Sequence, residues 1–361
     1  MGHATRCIPI IRRLLALDRE VVIGGSGPHV DLLIEEFPSL EVVPLVNYGI
    51  SYASNSLLLA AKFPLMPARV CVCAAREYLQ TREIVKKHTI DVIISDQRFG
   101  CRNPGVESIY VTHQLCLKMP RGFGALEPLF GAALRRAAER FDRVWIPDVP
   151  GSENLTGELT RRFPRPSSHR FVGPLSRIPE HPAGTRSCPV ELLVTLSGPE
   201  PQRTILEKRV LISAATFPGR IVLLRGKPAG GLPAPVPSNV SVREHCRAGE
   251  AGELMRGARA VVCRGGYSTI MELVSLRKPA VLVPTPGQTE QEYLCGRMEE
   301  KGWFATASQS GLDLRGAVHT LESGGYLPPL LRGGDLLAEA LEEVATADSS
   351  GVAGRIPGSR A

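Results

Sequence analysis

No apolar run in this sequence approaches the ~20 residues that a membrane-spanning helix needs. The first apolar stretch, Ile8 to Leu17, is broken by Arg12 and Arg13, so it does not resemble a secretory signal peptide either. The nine cysteines include no Cys-x-x-Cys pair and no zinc-like spacing, which argues against a structural metal site; buried, reduced thiols in a cytoplasmic protein are the expectation. There is no Asp-x-Asp metal motif, no helix-turn-helix or RNA-binding signature, and no repeat at solenoid spacing. The net charge of +7 over 361 residues is too small to argue for nucleic acid by itself. It suits phosphates or an anionic membrane surface. Neither a cofactor nor a metal is expected.

The length allows two domains, each with its own core. The clearest pattern lies at 260–298. A β-type run, Ala260 to Cys263, turns on Arg264-Gly265-Gly266 into a helix with Ser268 and Thr269 in its first turn and Glu272 one turn on. A second strand, Ala280 to Val283, breaks at Pro284 and Pro286 and leads into a helix carrying Glu290 and Gln291. Strand, turn and helix used twice form a βαβα unit whose turns share one edge of a parallel sheet. In open α/β sheets that edge is where ligands bind. The paired glycines let backbone approach a ligand, and the helix they open offers unpaired N–H groups to a diphosphate. Glu272 lies four residues after Ser268, on the same face, and its carboxylate suits a ribose diol. The bland alternative is capping by Ser268 and Thr269, with Glu272 and Glu290 merely placed near helix N-termini.

Earlier in the chain, Met1-Gly2-His3-Ala4-Thr5-Arg6 reads as a glycine turn entering a helix, with no strand before it. Strands are expected at 20–23, 41–44, 91–95, 108–112 and 143–146. Asp96 and His113 follow two of them at the carboxyl edge. The proline-rich stretch from 164 to 189 marks a domain boundary, giving domains of 1–181 and 182–346 and a disordered tail of 347–361. The first domain is expected to lack its first strand, or the true start to lie upstream of Met1.

The residues R-G-G-Y-S-T-I-M-E followed by P-T-P-G-Q-T-E-Q-E-Y-L resemble the C-terminal donor-binding domain of glycosyltransferase family 28, which includes the UDP-N-acetylglucosamine transferases of peptidoglycan synthesis. The N-terminal G-H-A-T-R resembles the glycine-histidine turn of the same GT-B group, and T-H-Q at 112–114 and G-P-L-S-R at 173–177 sit where that architecture places cleft loops. The segment from Ser197 to Arg203 replaces the family's Gly-Gly-Ser turn. The resemblance implies an α/β GT-B fold, two Rossmann-like parallel-sheet domains facing a cleft. It also implies transfer of a hexosyl group from a UDP-sugar to a glycan or lipid-linked acceptor, inverting and metal-independent. The enzyme would work in the cytoplasm or peripherally at the inner face of the plasma membrane.

On that resemblance Glu272 binds ribose, Glu290 and Gln291 face the donor sugar, Arg177 lies near the phosphates, and Gly265 and Gly266 touch the diphosphate. Ser197, Gly198, Arg203, Arg264, Ser268, Thr269 and Gln288 complete the expected donor set. An inverting transferase needs one base within reach of the acceptor hydroxyl, and His3, His113 and Asp96 compete for that role. Two other functions share these motifs. The turn M-G-H-A-T-R-C also resembles that of UDP-sugar hydrolases of the pseudaminic acid pathway, and a non-catalytic sugar-nucleotide binder would need the donor half alone.

Overall fold

The computed structural model describes residues 2–49, 66–120, 122–178, 190–226, 231, 235–244, 246–331 and 335–350, with the side chains of 2–3, 28–29, 66–67 and 346–350 left aside. The N-terminal part runs α1 (Gly2–Ala16), β1 (Val22–Gly25), α2 (Pro28–Glu36), β2 (Glu41–Pro44), α3 (Met66–His88), β3 (Val92–Asp96), β4 (Glu107–Val111), α4 (Glu127–Ala138), β5 (Arg143–Ile146), α5 (Glu158–Arg161) and β6 (His169–Phe171). The C-terminal part continues with β7 (Val190–Thr195), α6 (Gln202–Ala214), β8 (Ile221–Leu224), β9 (Val240–Arg243), α7 (Ala248–Gly257), β10 (Ala258–Cys263), α8 (Tyr267–Ser275), β11 (Ala280–Leu282), α9 (Thr289–Glu300), β12 (Ala305–Thr306), α10 (Leu314–Ser323) and α11 (Leu336–Ser350).

The second half forms a six-stranded parallel sheet in the order β12-β11-β10-β7-β8-β9. Its central strand β10 is apolar without alternation because helices cover both faces of a parallel sheet, and Ala260, Val261, Val262 and Cys263 are all buried. Helix α8 buries Ile270, Met271, Leu273 and Val274, at about 1.5–3 kcal/mol for each large side chain. It stops where Arg277 adopts φ +48° and the Lys278 N–H returns to the Leu273 carbonyl at 2.9 Å. The Lys278 ammonium then ties the carbonyls of Arg256 and Ala258 at 2.9 and 2.7 Å, fixing the helix against the start of β10.

The first half is split. Among the described residues its strands make two separate parallel ladders, β1-β2 and β3-β4-β5-β6. Val92, Ile93 and Ile94 of β3 are only half-buried, whereas Ser108 to Val111 of β4 are buried. Among the described residues β1 and β3 each therefore end their ladder without a partner strand on that side.

Two expectations need correction. Gly2 and His3 lie inside α1 and not in a turn before it, the helix running unbroken from Gly2 to Ala16. The segment expected as a tail from residue 347 continues α11 as far as Ser350, and 351–361 lie outside the described residues. The division at 181/182 falls outside the described residues. Glu339 and Glu343 pair with Arg170, and Glu343 lies 3.4 Å from Arg143, both arginines belonging to the N-terminal sheet. Two arginines on neighbouring strands draw the acidic face of α11 back across the chain. Among the described residues no helix is long and apolar enough to cross a membrane, and the cysteines described are free thiols, most of them buried.

Candidate functional site

The carboxyl ends of β3, β4 and β5 in the first half meet those of β10 and β11 in the second. β3 delivers Asp96 and Gln97, and β4 delivers Thr112 and His113. The turn after β5 is stiffened by Asp148, fully buried, which accepts from the N–H groups of Val149, Leu155 and Thr156 at 2.8–2.9 Å and from the Thr156 hydroxyl at 2.5 Å. Asp148 is therefore a turn cap, as its position at a strand end suggests.

Arg6 organises the acceptor-side edge. Its buried guanidinium reaches Asp96 at 2.8 and 3.2 Å and contacts His113 Nδ1, which also meets Gln97 Nε2 at 3.0 Å. His113 Nε2 lies 2.9 Å from Glu290 Oε1 of α9. The imidazole stacks on Tyr267 at 4.4 Å with 7° between the rings, and the Tyr267 hydroxyl donates to the Pro147 carbonyl at 2.6 Å. Further contacts seat α9 on the N-terminal loops. Thr289 donates to the Lys118 carbonyl at 2.5 Å, the Glu158 N–H donates to the Tyr293 hydroxyl at 2.7 Å, and Arg297 donates to the Asn154 carbonyl at 2.9 Å.

The expected residues fall into distinct groups. Asp96, His113 and Glu290 come together as described. The backbone of His3 occupies the first turn of α1, and its side chain lies outside those described. Glu272 and Arg177 face each other, Arg177 Nε donating to Glu272 Oε1 at 2.7 Å. Glu272 is only 4% exposed, and burial raises its pKa against the opposing pull of Arg177. Arg12 donates to the Arg177 carbonyl at 2.6 Å, linking α1 to this pair. Ser268 and Thr269 sit half-buried in the first turn of α8, which has no side-chain cap. Ser197 and Gly198 form the turn after β7, Gly198 at φ +97°.

Several donor-set residues build the edge from inside. Arg264, 1% exposed, donates to the carbonyls of Val283, Pro284 and Gln202 at 3.4, 3.2 and 2.8 Å and to the Gln309 side chain. Burial lowers its pKa to about 10. It is thus a strut joining β11 to α6 and not a surface contact, because a guanidinium's donors can satisfy several strand-end carbonyls at once. Arg203 likewise donates to the Gly226 carbonyl at 2.7 Å and pairs with Glu200. Gln291 accepts from the Thr285 N–H at 2.9 Å and donates to Gln288 at 2.5 Å, holding the loop that enters α9.

The two glycines also differ. A Cβ at Gly266 would meet nothing within 4 Å, whereas one at Gly265 would collide with Cys295 Sγ. Gly265 serves close packing of the α8 turn on α9; only Gly266 opens toward a ligand. Gly265→Ala is expected to cost about 1–3 kcal/mol by overpacking. Adding Cys295→Ala should recover much of that loss in a urea melt, whereas no recovery would refute the assigned collision.

Arg6, Gln97 and Tyr267 escape a sequence reading. Arg6 lies one turn after His3 on the same helix, which is a faint signal, and Tyr267 looks like any apolar residue in a buried helix.

Residues 248–305 match the profile of the glycosyltransferase family 28 C-terminal domain. The match lies within the C-terminal half, from the start of α7 to the first residue of β12. An uncharacterized glycosyltransferase of Methanopyrus kandleri is 26% identical over 81% of this chain and 84% of its own length. A UDP-N-acetylglucosamine–N-acetylmuramyl-(pentapeptide) pyrophosphoryl-undecaprenol N-acetylglucosamine transferase of Elusimicrobium minutum is 34% identical over 25% of this chain and 30% of its own. The crystal structure of glycosyltransferase VinC in complex with dTDP superposes with a TM-score of 0.58 at 14% identity, covering 97% of both chains. The fold is GT-B, and these similarities support glycosyltransferase activity.

Proposed function

We propose that this glycosyltransferase moves a hexosyl group from a UDP-sugar to an acceptor hydroxyl, with inversion. The observation that carries the proposal is the first turn of α8. It opens at Gly266 onto unfilled space, with Glu272 on the same helix and paired to Arg177 of the segment after β6. The backbone N–H groups of that turn hold the diphosphate, the ribose diol donates to Glu272, and Arg177 adds charge beside the leaving group. Charge supplied this way makes a divalent ion unnecessary. The acceptor enters from the edge carrying Asp96 and His113, with the base drawn from that edge or from His3. Phe123, Leu126 and Leu129 are exposed by 50%, 37% and 67% on the stretch that continues from Lys118. They suit an acceptor carried on a lipid at the inner membrane face, where a peripheral enzyme would meet it.

The test is thermal stabilisation by nucleotide diphosphates. UDP at a hundred times its Kd is expected to add about 2.7 kcal/mol, with dTDP weaker. Stabilisation by dTDP alone would move the assignment to another nucleotide, and no response to either would remove the donor reading. Product analysis without acceptor then separates transfer from hydrolysis, since only a hydrolase yields free sugar at the rate of UDP release.

A further inference from the structure

Both ring nitrogens of His113 are engaged, and by groups of unlike chemistry. An arginine N–H can only donate, so the contact from Arg6 makes Nδ1 the acceptor, and Gln97 approaches the same nitrogen at 3.0 Å. A neutral ring with Nδ1 unprotonated carries its hydrogen on Nε2, and Nε2 faces a carboxylate oxygen of Glu290 at 2.9 Å. Arg6 is itself fixed. Asp96 holds its Nη2 at 2.8 and 3.2 Å, and the side chain is 2% exposed. Tyr267 sets the ring plane by stacking and is anchored through Pro147. The ring is therefore surrounded by Arg6 of α1, Asp96 and Gln97 after β3, Tyr267 of α8 and Glu290 of α9, two of them from the C-terminal half.

We propose that Arg6 is a positioning residue that makes His113 a hydrogen-bond donor to Glu290, and that this pair clamps the acceptor-side edge onto α9. This role replaces that of a base withdrawing the acceptor's proton. A general base needs an available lone pair aimed at the acceptor, and the lone pair of this ring points at a guanidinium. A second proton on the ring would set N–H against N–H, so the same contact favours the neutral form. Glu290, placed one residue into α9, then joins the two halves and leaves the proton transfer to another group. The inference rests on the cleft described for sugar transfer, but its first test needs no activity.

That test is the tautomer of His113 in the full chain, read from ¹⁵N-histidine spectra and assigned by the signal lost in His113→Gln. The Nε2–H form is expected across about pH 6 to 8, where an unconstrained histidine would titrate. Arg6→Lys should give a mixture of tautomers, because an ammonium cannot bridge Asp96 and Nδ1 as a planar fork does. An Nδ1–H signal in the native chain, or no change in Arg6→Lys, overturns the proposal.

The second arm is kinetic. The amide of His113→Gln can still donate to Glu290, so kcat/KM should fall by roughly 3–10-fold, the scale of one imperfect hydrogen bond, with the acid limb of the pH profile in place. His113→Ala should fall further, and most of that extra loss should vanish in the Glu290→Ala background. Equal losses of about 10²–10⁴-fold in Gln and Ala variants, with the acid limb gone, are what a general base would give, and would end the clamp assignment. If transfer itself proves absent, the spectra still decide the tautomer.

Discussion

Glu207→Ala is expected to lower the stability of the C-terminal half by about 3–5 kcal/mol, the usual cost of leaving one partner of a buried ion pair alone. Arg225 and Glu207 are each nearly fully buried, with side chains 2% and 3% exposed. Two guanidinium nitrogens meet the carboxylate, and Nη2 also donates to the Gly231 carbonyl at 3.0 Å. Glu244 stands 3.5 Å from Nη1 but is half-exposed, so it cannot make good the loss. The effect is large relative to the roughly 5–15 kcal/mol by which a whole domain is stable. Replacing both residues by leucine should restore much of the stability, because the cost lies in the stranded charge and not in the absent attraction. Urea midpoints of the native chain and the two variants decide this. A Glu207→Ala chain within about 1 kcal/mol of native would show that water or Glu244 solvates Arg225, contrary to the burial seen. The pair also bears on the donor pocket. Arg225 directly follows β8, and the next residue, Gly226, gives its carbonyl to Arg203 at 2.7 Å, so this interior pair braces the turn that carries Ser197 and Gly198.

Glu272→Ala is expected to weaken UDP binding by about 100-fold or more. Two charge-assisted bonds to the ribose diol, each worth about 1.5–3 kcal/mol, disappear together. Isothermal titration of both chains measures the change, and a loss of less than about threefold would remove Glu272 from the ribose site. Glu272→Gln should fall between, since its amide keeps one acceptor oxygen. The pH dependence has a definite sign. Burial raises the Glu272 pKa in the folded chain, so the folded state binds more protons than the unfolded one between the two pKa values. Stability from this group is thus present at the acid end and is lost as pH rises through that window. Nucleotide binding runs the other way: the carboxylate that accepts from ribose is the ionised form, and affinity should drop as pH falls through the raised pKa. A Glu272→Gln chain should lose both dependences.

The C-terminal half was legible from sequence because its chemistry is local. Strand, turn and helix follow within a few residues at 260–298, so the order of residue types also fixes which ones share the edge. What the order cannot fix is which way a side chain turns. Arg264 belongs to the expected motif yet points inward to four acceptors, because the carbonyls it ties come from 202, 283 and 284. Gly265 and Gly266 look alike in sequence, and only the approach of Cys295 from α9 separates them. The acceptor-side cluster was half-legible. Asp96 and His113 close strands or follow them and could be placed at an edge, but Arg6 binds both from ninety or more positions away. Nothing in the spacing of a helix announces a partner that distant. α11 was missed as a crossing element for the same reason, since its acidic residues look like an exposed face until Arg143 and Arg170 meet them.

The split N-terminal sheet bears on the order in which the molecule comes apart. β1 and β2 are a two-stranded ladder, too small to be stable alone. They share a little core of Ala4, Ile8, Ile11, Ile23, Leu32, Leu33 and Phe37 with α1 and α2. Such a unit opens by itself at a lower free-energy cost than the rest of the chain. Arg6 sits on the helix that this unit carries, so each transient excursion also withdraws the guanidinium from His113. The fragile corner of the fold and the alignment of the cleft are therefore governed by one equilibrium, and heat should silence the enzyme while the larger sheet is still intact.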